Sequence, residues 1–188
     1  MFRLSLLLPL LLMLGACQTS GPLADFDLNR DFSQYQTWSW ADTPVSYTPA
    51  NDPRLNSDLT TQRIEEAVSA QLDVRGLRPA EQASSADVLV HTSVIMEVHQ
   101  DNVTTNYGGY WGYWGPYWGG PGFSQTRTVE YPVMTLQIDL LDAKDGRLVW
   151  RGSDTARVDE RLSPIERSRE MHERAARVLS SYPPNYQG

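Results

Sequence analysis

Cysteine and histidine are nearly absent: the 188 residues contain one of the first and three of the second. A lone cysteine cannot close an intramolecular disulfide, and the usual Cys/His zinc clusters cannot be assembled from this set, so both scaffolds are excluded. Positive charge is scarce too. Sixteen Lys and Arg stand against 23 Asp and Glu, a formal net charge of −7, and no basic run occurs. An acidic surface repels phosphate backbones, so no nucleic-acid partner is expected. Nucleophile elbows, phosphate loops and zinc-protease helices are missing as well, and the expectation is a chain with no catalytic residue, metal site or cofactor. The length suits one domain with a short tail.

What is present begins with an address. Residues 1–16 run from Met-Phe-Arg through an almost unbroken apolar stretch, Leu4 to Leu14, into Gly15-Ala16, the order of a secretory signal. At about 1.5 Å per residue that stretch is roughly half the ~30 Å of a hydrocarbon core, too short to span it. Leu14-Gly15-Ala16-Cys17 resembles the lipobox of bacterial lipoproteins, which implies a diacylglycerol on the Cys17 thiol, cleavage before it and acylation (palmitate or a similar chain) of the new amino group. Several acyl chains on one residue anchor firmly where a single chain does not. Gln18 stands where an Asp would imply retention at the inner membrane, so the resemblance favours the outer membrane, with the domain facing the periplasm. Losing Arg3 with the leader moves the net charge from −7 to −8, and no polybasic stretch follows, so the acyl chains alone make the membrane contact. Residues 17–25 form a lipidated N-terminus and tether; from Gln18 to Asp25 it reaches about 26 Å at most. A single domain is expected over residues 26–184, followed by a tail, 185–188.

Within the domain, aromatics at Phe32, Trp38 and Trp40 share one parity over Phe32 to Ala41, which predicts a strand, followed by a loop over Asp42 to Pro53. Asn56 or Ser57 caps a helix with Ile64, Ala67, Val68 and Leu72 inward and Gly76 as its stop. Alternation predicts a strand from Ala86 to His99 with Val88, Val90, Val94, Met96 and Val98 on one face, and another from Val133 to Leu141 with Met134, Leu136, Ile138 and Leu140 inward. Asp145-Gly146 turns the chain into a hairpin partner with Leu148, Trp150, Ala156 and Val158 inward. Ser163-Pro164-Ile165-Glu166 reads as a capping box opening a second helix, whose stripe is Ile165, His172, Ala175, Ala176, Leu179 and Tyr182 before Pro183-Pro184 stops it. The order argues for an α+β fold: a two-layer sandwich with a largely antiparallel sheet and both helices packed on one face. The other face should carry Glu97, Gln137, Asp139, Arg151, Ser153 and Arg157.

The set Phe32, Tyr35, Trp38-Ser39-Trp40, then Ala86-Asp87-Val88-Leu89-Val90, Leu136-Gln137-Ile138-Asp139-Leu140, Leu148-Val149-Trp150-Arg151-Gly152 and Tyr182-Pro183-Pro184 resembles the lipoprotein family called domain of unknown function 4136. The resemblance covers nearly all of the mature chain. It implies a cell-envelope lipoprotein with an α+β domain, and it brings no activity or catalytic residue with it.

One segment stands apart. Tyr107 to Phe123 reads YGGYWGYWGPYWGGPGF, eight aromatics, seven glycines and two prolines, with no charged residue between Asp101 and Arg127. Its glycines oppose a packed regular element. The bland reading is a low-complexity connection whose rings fold back on the sheet. The functional one makes Tyr107, Tyr110, Trp111, Tyr113, Trp114, Tyr117, Trp118 and Phe123 a binding loop for bilayer headgroups, a protein partner or, behind these, envelope sugars. His91 and His99 are about 27 Å apart along one strand and cannot share an ion; Glu97 with His99 reads as a surface contact, and His172 as a core histidine. Asp139, Asp142 and Asp145 lack the spacing of a calcium loop. The expectation is therefore a non-enzymatic outer-membrane lipoprotein that binds an envelope protein or glycan through the aromatic loop, the alternative being an enzyme, or an activator of one, acting on envelope glycans.

Overall fold

The computed structural model describes residues 23–53, 55–107 and 123–184. Six strands, β1 (Leu23–Phe26), β2 (Thr37–Thr48), β3 (Arg78–Pro79), β4 (Val88–Tyr107), β5 (Phe123–Asp142) and β6 (Leu148–Arg157), form one sheet with two helices, α1 (Asp58–Val74) and α2 (Pro164–Val178). The sheet order is β1-β6-β5-β4-β2-β3. It is mixed: β1, β6, β5 and β4 alternate antiparallel, whereas β2 joins β4, and β3 joins β2, in parallel. Parallel neighbours need a crossover. Here α1 supplies it between β2 and β4.

Both helix starts follow the capping chemistry. The Ser57 side chain accepts from the Thr60 amide, and Ser163 and Glu166 close a reciprocal capping box with Pro164 behind it. At the end of α1, Gly76 takes φ +89°, the Leu77 amide donates to the Leu72 carbonyl at 3.1 Å, and Leu77 is buried. That is a Schellman stop. Arg75 then donates to the carbonyls of Leu179 (2.6 Å) and Ala176 (3.3 Å), so the end of α1 caps the end of α2 and the helices run side by side in the same direction.

Their shared face meets the even positions of β4. Ile64, Ala67, Val68, Leu72, Ala175 and Val178 join Val88, Val90, Val94, Leu136, Ile138, Leu140 and Trp150 in one core. The odd positions carry the polar residues expected there: Arg151 holds Asp139 through two bonds of 2.7 and 2.6 Å, and Gln137 donates to Asp139.

Several expectations are corrected. The segment Phe32–Gln34 is a short 3₁₀ turn, and the strand after it runs on to Thr48, through residues expected as loop; a register break between Trp40 and Val45 absorbs Pro44, which has no amide to give a ladder. Leu23 to Asp25, assigned to the tether, belong to β1 at the sheet edge. In β6 a second break makes Val149 an extra residue between the pairs Leu140–Trp150 and Leu141–Leu148, so Val149 is buried and Leu148 is turned outward. The α2 stripe is rotated. Ile165 is 80% exposed, while Met171 and Arg174 take inner positions. Arg174 is fully buried, paired to Glu170 at 2.8 Å and donating to the carbonyls of Met134 (3.1 Å) and Arg157 (3.3 Å), where the β5–β6 ladder ends. A buried guanidinium is tolerable only when paired and bonded in this way. His172 is half-buried on the helix flank, its ring on the Ser168 carbonyl.

Candidate functional site

The largest departure from expectation is the length of the central hairpin. β4 and β5 each have 20 residues and pair without a break from Val88↔Asp142 to Tyr107↔Phe123. Their neighbours stop early: β2 leaves β4 at Ile95, and β6 leaves β5 at Val133. From Glu97 onward the hairpin is thus a two-stranded ribbon, about 33 Å long at ~3.3 Å per residue. Side chains at residues 97–106 and 124–128 are exposed.

Among the described residues no core covers either face of the ribbon, which must therefore hold itself together by cross-strand pairs. One face does so with polar contacts: Gln100 to Glu130 at 2.7 Å, Thr128 to Asn102 at 3.0 Å, and the Thr104 and Thr126 hydroxyls at 2.9 Å. At the root of the other, the Arg157 guanidinium lies 3.4 Å over the Tyr131 ring and pairs with Asp101, and His99 packs beside Tyr131 at 6.1 Å. His99 also meets Glu97 at 3.4 Å in an exposed contact. His91 sits elsewhere, between the Thr43 carbonyl and the Ser46 hydroxyl.

The loop residues follow from that geometry. Tyr107 and Phe123 are the last pair of the ladder. Tyr110, Trp111, Tyr113, Trp114, Tyr117 and Trp118 lie outside the described residues, as does Cys17. The ribbon hands both of its strands to the aromatic segment at the point farthest from the core.

The opposite end of the sheet is built differently. Arg30 reaches Asp142 at 2.9 Å and also pairs with Asp145 and Asp27, and the Tyr35 hydroxyl donates to the same Asp142 oxygen at 2.9 Å. The Arg30 bond, with the Arg147 amide, holds the Asp145 carboxyl below its usual range, and burial followed by the Asp142 contact pushes the Tyr35 phenol up to about 12. Phe32 stacks edge-on against Phe26, Tyr35 and Tyr182, and Trp150 against Tyr182 at 5.6 Å. A Cβ on Gly152 would collide with the Trp150 ring and come to 3.0 Å from Val178. Asp87 ties the two parallel strands: the burial that raises its pKa is outweighed by bonds from the Thr37 hydroxyl (2.8 Å) and the Gln36 and Thr37 amides, and the net shift is downward. No group of three or more His, Cys, Asp or Glu among the described residues could hold a metal ion, and no helix among them is long and apolar enough to cross a membrane.

The sequence profile of the family described as domain of unknown function (DUF4136) matches residues 23–184. The chain belongs to that family. The matched span runs from the first residue of β1 to the proline pair after α2, and so includes the whole sheet and the aromatic segment. A solved DUF4136 protein from Bacteroides thetaiotaomicron is similar over 88% of this chain and 97% of its own, with a TM-score of 0.50 and 20% identity. A PDZ domain protein from Parabacteroides distasonis is similar over 89% of this chain, which spans 36% of that one, with a TM-score of 0.53 and 13% identity. At these identities the likeness is one of fold. No curated protein matches the chain. Phe32, Tyr35, Asp87, Trp150, Gly152 and Tyr182, which carry the resemblance in the sequence, all serve to build the body. Arg30 and Arg174, which complete it, escaped the sequence reading; the Glu170–Arg174 spacing of four was the available signal.

Proposed function

We propose that this DUF4136 protein is a non-enzymatic lipoprotein of the outer membrane, anchored by acyl chains on Cys17 and facing the periplasm, that binds an envelope component through the aromatic segment 107–123. In this reading the helices are one layer of a sandwich, and the antiparallel strands of the other layer project the contact surface. The observation that carries it is the ribbon: a sheet that extends two strands about 33 Å past their neighbours, with exposed side chains at 97–106 and 124–128, and leads into a charge-free aromatic segment. A connection that only joined two strands would be served by a short turn at the sheet edge.

The anchor geometry supports a contact near the bilayer. β1 begins at Leu23, which leaves residues 18–22 as tether, about 16 Å fully extended. Leu23 pairs with Ser153, and Ser153 with Gln137, whereas Phe26 lies level with Leu140, so the anchored end of β1 points the way the ribbon does. A ribbon twice as long as the tether at the same end of the body keeps its tip within reach of the lipid surface, where Tyr and Trp rings are most at ease.

Labelling cells with a palmitate analogue tests the anchor: Cys17→Ser should lose the label, and unchanged labelling refutes acylation there. Photo-cross-linking from position 114 tests the contact, with lipid or envelope-protein adducts expected. If replacing residues 108–122 by Asn-Gly leaves cross-linking partners and vesicle association of the unacylated chain unchanged, the loop is not the contact surface.

A further inference from the structure

On the helix side of the sheet, at the root of the ribbon, lies a cleft of about 600 Å³, inside the ~300–1,000 Å³ range of small-molecule sites. It opens where both helices begin. All three methionines outside the leader, Met96 on β4, Met134 on β5 and Met171 on α2, line it, with Leu55, Leu59 and Leu162. Methionine side chains are unbranched and adaptable, and they recur where a surface must accept flexible apolar ligands. Leu59 is 62% exposed at the cleft, so the apolar surface continues into solvent.

The polar rim is unevenly neutralised. Of its three acids, Glu170 is paired to Arg174, Asp159 to Arg161, and Glu160 is engaged as well. Among the described residues, its two outer arginines pair with no carboxylate. The Arg167 side chain donates to the main-chain carbonyls of Leu162 (3.0 Å) and Glu160 (3.2 Å), and the Arg63 side chain on α1 makes no ion pair or hydrogen bond among the described residues. An adaptable apolar floor beneath two guanidiniums from separate helices is the complement of one long hydrocarbon chain ending in an anion.

We infer that this cleft is a binding site for a long-chain fatty acid, with the alkyl chain on Met96, Met134 and Met171 and the carboxylate between Arg63 and Arg167. The site shares no residue with the aromatic segment and requires no acylation of Cys17, so it stands or falls separately from the proposed function.

The test uses the full mature chain carrying Cys17→Ser, free of its own acyl groups, titrated with anthroyloxy-palmitate and followed by fluorescence. Saturable binding at one molecule per chain is expected, about tenfold weaker for the methyl ester of the same probe. Leu59→Glu and Arg63→Glu, both at solvent-accessible positions, should each weaken binding at least tenfold with unchanged circular dichroism. Absence of saturable binding overturns the inference. Equal affinity for acid and ester removes the arginine clamp and with it the fatty-acid assignment. Binding unaffected by both substitutions, or lost only when 108–122 is replaced, places the probe elsewhere and also overturns it.

Discussion

The two halves of the β4–β5 hairpin share one unbroken ladder and nothing else. Below Met96 and Met134 the hairpin is central in a six-stranded sheet, its even positions sealed under two helices by Val90, Val94, Leu136 and Ile138. Above them it has, among the described residues, no neighbouring strand and no core, and polar side chains face each other across it. Backbone pairing is the same in both, so the difference isolates what burial contributes. The lower half is where truncation should unfold the protein, and the upper half is where substitution should change binding without unfolding it.

The largest effect should come from the body. Trp150→Ala should cost about 3–5 kcal/mol in a urea melt, because a fully buried indole leaves a cavity that Gly152 and Tyr182 cannot fill. A smaller loss is expected from Asp142→Ala, about 1–3 kcal/mol, since it strips Arg30 and the Tyr35 hydroxyl of a nearly buried acceptor. Equal losses from matching changes in the ribbon would show that burial does not separate the two halves.

Titration also distinguishes the body from the ribbon. Asp87 and Asp145 in the body are held below their usual range, so the stability they supply is present above the unfolded-chain value and is lost as pH falls below about 4. At the alkaline end the signs reverse. Tyr35 is raised to about 12 and Tyr182 is raised as well, so above about pH 10 the unfolded chain gains by ionising first and stability declines. The stability profile should keep both flanks when residues 108–122 are replaced by Asn-Gly; a flank that disappears would tie the segment to the body. The smallest effect is reserved for the ribbon itself: Val103→Ala and Thr104→Ala should each shift stability by less than about 0.5 kcal/mol.

Legibility follows the same division. Alternation of Val88, Val90 and Val94 and the capping box at Ser163 were readable because burial and capping impose a period or a fixed spacing. The ribbon was not, because residues such as Gln100, Asn102, Thr104 and Thr126 have no inside to alternate with, and pairing without burial leaves no hydrophobic pattern. Single extra residues were also invisible: the break at Val149 swaps the inward and outward sides of Leu148, and the one after Trp40 lets a strand pass a proline. Arg174 misled for the opposite reason, since a charged residue in a buried stripe reads as a surface position until its partners are known. The aromatic segment announced itself by composition alone, while its placement at the end of a projecting arm depended on strand lengths that only the sheet reveals.

The edge strand β1 sets an order of events. Leu23, at the start of the domain, finds its partner Ser153 in the last strand of the sheet, so a chain delivered from its N-terminus has to hold its opening residues unpaired until nearly all of the rest has emerged. The first strand of the domain is then placed only after the sixth has formed, and a chain halted before Ser153 cannot complete its sheet.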